Sequence, residues 1–80
     1  MKLPRNISGN DLIKYLKRYG YSVTRQSGSH IRLTTNKEGE HHITVPNHTP
    51  LKIGTLSAII ADIAAHLKIP KEQVLVELFG

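Results

Sequence analysis

Between Gly20 and Pro46 the apolar residues recur at every second position, while on both sides of that stretch they recur every three or four. Side chains alternate across a strand but return to one face of a helix every 3.6 residues, so a chain that changes period twice reads as strands framed by helices. At 80 residues there is room for one compact core and not for two. An α+β fold in a single domain spanning 1–80 is therefore expected.

The helical stretch at the start has its own boundary signals. Ser8 stands three residues before Asp11 in the pattern of a capping box, and Leu12, Ile13, Leu16 and Tyr19 share one stripe, with Lys14, Lys17 and Arg18 away from it. Gly20 suits the left-handed conformation that stops a helix, which predicts a first helix over about 9–19.

Next, "YSVTR" alternates Tyr21, Val23 and Arg25 against Ser22 and Thr24, and "SGS" turns the chain. "HIRLTT" places Ile31 and Leu33 on one side, "NKEGE" turns again, and "HHITVP" carries Ile43 and Val45 until Pro46 ends the run. Three short strands joined by tight turns form an antiparallel meander. After the loop "NHTPLK", Leu56, Ile59, Ile60, Ile63, Ala64 and Leu67 restore the helical period. Pro70, in a first-turn position, opens a short last helix with Val74, Leu75 and Leu78 on one face. The expected order is α-β-β-β-α plus a short C-terminal helix, with a three-stranded antiparallel sheet covered by helices on one face.

The uncovered face then has a predictable composition. If Ile31, Leu33, Ile43 and Val45 point at the helices, His30, Arg32, His42 and Thr44 point at solvent. Residues 1–52 hold nine basic and three acidic side chains, whereas 53–80 hold two and three, within a formal charge of +5. Such asymmetry directs a positive surface at a polyanion, with nucleic acid ahead of an acidic protein. The absence of cysteine excludes disulfide staples and thiolate metal sites. The opening "MKLPRNISGN" lacks the apolar centre of a signal peptide, and the longest aliphatic run, Ala58 to Ala61, is far short of the roughly 20 residues that span a bilayer. A cytoplasmic protein without a membrane partner is expected.

Composition also narrows the chemistry. His30, His41, His42 and His48 could suggest zinc, but His41 and His42 are neighbours on a strand and point to opposite faces, and Glu38 and Glu40 lie in a turn. Too few carboxylates converge for a two-metal nuclease, so no metal site and no small-molecule cofactor is expected. Ser29 and His30 are likewise adjacent and cannot face each other as nucleophile and base. One glycine in "SGS" makes no phosphate loop, although backbone N–H groups there could hold a phosphate beside His30.

Metal-free acid–base chemistry on RNA is what remains. RNA carries its own nucleophile, the 2′-hydroxyl, and an imidazole near its neutral titration range can remove that proton or protonate the leaving oxygen. His30 is the candidate for this role. Arg25, Arg32 and Lys52 are candidates to neutralise the phosphate, Ser29 to approach it, and His48, in the following loop, ranks between His30 and His42.

The succession "SGNDLIKYLKRYGYSVTRQSGSHIRL", "HHITVPNH" and "LKIGTLSAII" resembles the HicA family, the mRNA-interferase toxins of HicAB toxin–antitoxin pairs. The landmarks "GSH" after a basic strand, "VP" before a histidine-containing loop and "KIGTL" opening a helix are weak singly and strong in this order. The resemblance runs over about 8–67. It implies a double-stranded-RNA-binding-like fold, ribonuclease activity on mRNA, His30 as the catalytic histidine of "GSH", and a HicB-type antitoxin as partner. Gly54, Thr55 and Leu56, the "GTL", read as structural. Compact family members end soon after that helix, whereas this chain continues through 68–80. The added helix finishes the core or shapes the antitoxin surface.

Two other readings use the same residues. A non-catalytic RNA-binding module could present the same basic face. "IADIAAHLKIPKEQVLVEL" has tolerable helix-turn-helix spacing, but its second helix offers only Lys71, Glu72 and Gln73 at its start for reading bases. Tyr15, Tyr19, Tyr21 and Phe79 read as packing residues, and His66 as a charge suited to a helix C-terminus.

Overall fold

The capping box expected at Ser8 forms in both directions: the Ser8 hydroxyl accepts from the Asp11 N–H at 3.0 Å, and the Asp11 carboxylate accepts from the Ser8 N–H at 3.2 Å. In the computed structural model, which describes residues 2–80, this cap starts α1 (Gly9–Leu16), continued by a 3-10 turn over Lys17–Tyr19. The strands β1 (Ser22–Ser27), β2 (His30–Thr35) and β3 (His41–Pro46) follow, then α2 (Ile53–Leu67) and α3 (Lys71–Phe79). The sheet is an antiparallel meander in the order β1-β2-β3. The element order and types are those expected from the alternating periods.

One face of the sheet is dry. Ile31, Leu33, Ile43 and Val45 pack with Leu12 and Leu16 of α1, Leu56, Ile60 and Ile63 of α2, and Val74, Leu75 and Leu78 of α3 in one cluster. Each buried aliphatic side chain contributes about 1.5–3 kcal/mol. The segment beyond Leu67 thus completes the core. Its Glu77 also accepts a 2.6 Å hydrogen bond from the Tyr19 hydroxyl, tying the last helix to the end of the first. Pro70 is the residue before the first turn of α3 rather than inside it.

His41, facing the helices, heads a polar network at the far end of this interface. Tyr21 donates to its Nδ1 at 2.7 Å, and because a carboxylate only accepts, Nε2–H donates to Asp62 on α2 at 3.1 Å. Its ring stacks on His66 at 4.2 Å between centroids. His66 Nε2 lies 2.8 and 3.1 Å from the carbonyl oxygens of Lys37 and Gly39, and so clamps the β2–β3 turn to α2. The expected helix-end charge is here a turn-holding hydrogen-bond donor.

Two expectations are corrected. Tyr19 and Tyr21 are buried, but Tyr15 is 44% exposed and meets the Phe79 ring edge to face, because its helical face points past the core. The alternation of Val23 with Arg25 also fails, because the register shifts between them: Val23 pairs with Leu33, Arg25 with Arg32, and Thr24 is the extra residue of a bulge. Among the described residues no single helix is long and apolar enough to cross a membrane.

Candidate functional site

The other face of the sheet is bare, and the bulge decides what stands on it. In an unbroken ladder Arg25 would share the covered side with Val23. The extra residue at Thr24 reverses the parity, so Arg25 lies opposite Arg32 on the open side and Ser27 lies opposite His30. At the bulge the Thr24 hydroxyl sits 2.8 Å from that of Thr34.

Ser27 and His30 close a two-residue hairpin. Gly28, the first turn residue, has φ +58°, while Ser29 is not in the left-handed region, the pattern of a type II′ turn that suits the twist of the strands. The turn places His30 first on β2, exposed, with Pro46 opposite it on β3. The next outward row is Arg25, Arg32 and Thr44. The row beyond holds Ser22, Thr34 and His42.

These rows differ in how they are engaged. His42 is committed at both nitrogens, to Thr34 Oγ1 at 2.8 Å and to Glu40 at 2.9 Å. Arg25 and Arg32 are exposed, and neither is paired with a carboxylate among the described residues. Two unpaired guanidinium groups facing each other repel, and an anion bridging them removes that repulsion.

Ser29 has a second role that its sequence context conceals. Its carbonyl accepts the Asn47 N–H at 2.6 Å, while the carbonyl of His48 accepts the Gly9 N–H at 3.0 Å. The loop carrying His48 is thereby held between the hairpin tip and the start of α1. Gly9 is required there, since a Cβ would drive into the Pro46 carbonyl. His30, Arg25 and Arg32 thus share one end of the open face, and these backbone bonds hold the loop carrying His48 beside the hairpin tip.

Lys52 does not join them through any hydrogen bond. It precedes α2 as the N-cap residue, exposed, next to Leu51, whose N–H is bonded to Ile7. Ser27 and Asn47 were missed by sequence reasoning. The two-residue turn alone would have placed Ser27 opposite His30, whereas the Asn47 bond has no sequence signal.

The open face carries the exposed arginines, and α3 presents no comparable surface. Its exposed residues are Lys71, Glu72, Gln73 and Val76, a poor set for reading bases. Comparison with known proteins gives one finding: the sequence model of a family described as the HicA toxin of bacterial toxin–antitoxin systems matches residues 9–65. No curated protein and no solved structure matches the chain.

Proposed function

That the chain belongs to the HicA toxin family, toxins of bacterial toxin–antitoxin systems, is the premise from which we propose that it is a metal-independent endoribonuclease. It cleaves messenger RNA in the cytoplasm with His30 as general acid or base, and a HicB-type antitoxin neutralises it. The observation that carries the reading is the unpaired Arg25–Arg32 row, one step from an exposed imidazole on an uncovered sheet face.

In this reading the two arginines hold the phosphate and neutralise charge that builds on its oxygens during attack, a role in which fixed donors are most effective. His30 exchanges a proton with the 2′-hydroxyl or with the departing 5′-oxygen, worth roughly 10²–10⁴-fold in rate. Ser29 and Ser27 line the approach, His48 contacts the RNA beside them, and Lys52 extends the cationic surface along it. DNA, lacking the 2′-hydroxyl, is spared. An antitoxin that covers this face with acidic groups blocks both binding and cleavage.

The test is RNA incubated with purified protein in EDTA. Wild type is expected to release fragments ending in 2′,3′-cyclic phosphate, and His30→Ala none, with an unchanged circular dichroism spectrum. Cleavage by His30→Ala at the wild-type rate overturns the assignment. Binding of RNA by wild type without cutting identifies a non-catalytic module on the same face.

A further inference from the structure

We infer that His48 is the second proton carrier of the cleavage reaction, working on the opposite side of the same phosphate from His30; this rests on the ribonuclease reading above. Transesterification moves two protons. The 2′-oxygen loses one as it bonds to phosphorus, and the 5′-oxygen gains one as its bond to phosphorus breaks, leaving a 2′,3′-cyclic phosphate and a 5′-hydroxyl. The attacking and leaving oxygens are in line through phosphorus, so two groups flanking one phosphate serve better than one.

The other imidazoles are unavailable. His41 and His66 are engaged with Tyr21, Asp62 and the β2–β3 turn carbonyls on the helix side of the sheet. His42 is held by Thr34 and Glu40, four residues along the ladder from the His30–Pro46 pair, about 13 Å at the rise of a strand.

His48 is placed differently. It follows Pro46, the partner of His30, by two residues, roughly 7 Å of extended chain. The Asn47–Ser29 and Gly9–His48 backbone bonds fix both sides of that step. Its side chain is exposed and takes part in no hydrogen bond among the described residues. The titratable and charged groups on the elements joined to this loop are His30, Arg25 and Arg32 on the sheet, Asp11 on α1, whose carboxylate accepts the Ser8 N–H, and Lys52 at the start of α2.

The experiment is the pH dependence of kcat/KM for RNA cleavage by wild type, His48→Gln and His48→Ala, with RNA affinity and thermal melting measured beside it. Two carriers give wild type a bell-shaped profile. Both variants are expected to melt as wild type does, to lose no more than a few-fold in RNA affinity, to lose at least tenfold in kcat/KM, and to lose one limb of the bell. A two-limbed wild-type profile retained in His48→Gln overturns the inference while leaving His30 in place. Wild-type protein that leaves RNA intact overturns the ribonuclease reading and this inference with it.

Discussion

Arg25 and Arg32 face each other across β1 and β2, with neither paired to a carboxylate among the described residues. Like charges in register work against the sheet, by an amount comparable with the roughly 0.2–1 kcal/mol of a favourable cross-strand pair. The pair is therefore expected to show opposite effects on stability and on binding. Arg25→Ser should raise the urea midpoint slightly while weakening RNA binding. Its log affinity against log salt should be shallower by about 0.7 for a single-stranded RNA, the signature of one lost phosphate contact. An unchanged salt slope would remove Arg25 from the interface.

How Arg25 reaches that position explains what could and could not be read from the sequence. Strand β2 and strand β3 obey strict alternation, so His30, Arg32, His42 and Thr44 were legible as one face from hydrophobic period alone. β1 is exposed along its whole length, so burial imposes no pattern on it. Its parity changes instead at the bulge, where Thr24 meets Thr34 across the strands, an interaction that no local window contains. Likewise the capping box at Ser8 was legible because it spans three residues. The Asn47–Ser29 bond that places the His48 loop joins residues 18 apart and was not. Lys52 stands exposed at the far end of the same loop, as the N-cap residue of α2.

Gly9 tests the same loop by packing rather than charge. A methyl group there collides with the Pro46 carbonyl, and Asn47 stands immediately behind it. Gly9→Ala is expected to cost about 1–3 kcal/mol through backbone displacement, or roughly 4–20 °C in Tm for a domain of this size. Gly54→Ala, in the first turn of α2 with open space around it, is the matched control and should be neutral or slightly stabilising. Equal melting temperatures for the two variants would contradict the close approach.

Alkaline pH probes the Tyr21 network. Burial, with the Asp62 carboxylate adding to it, pushes the Tyr21 phenol up to about 12 from its ordinary 10. Because the folded value lies above the unfolded one, the associated stability is complete below pH 10 and is lost as pH rises towards 12. Unfolding free energy should therefore fall by the order of 2 kcal/mol over that interval from this group, with Tyr19, also raised by burial and by its bond to Glu77, adding to the decline. Tyr21→Phe should start less stable, since His41 loses a donor, and should decline less steeply. A parallel decline in wild type and Tyr21→Phe, followed by urea titration from pH 8 to 12, would count against the network.

The family match ends at residue 65, inside α2, yet the core does not. Val74, Leu75 and Leu78 of α3 are 0%, 5% and 6% exposed, and Glu77 holds the Tyr19 hydroxyl at 2.6 Å. Three buried aliphatic side chains at about 1.5–3 kcal/mol each amount to much of the 5–15 kcal/mol that keeps a domain folded. Removing residues 68–80 is thus expected to leave a chain without a cooperative thermal transition. Leu78→Ala, which keeps the helix but empties one site, should lose about 2–5 kcal/mol and still melt cooperatively. The graded pair separates a folding role from a docking one. If the shortened chain melted within a few degrees of the full-length protein, α3 would be an appendage and the reading of 1–80 as one domain would fail.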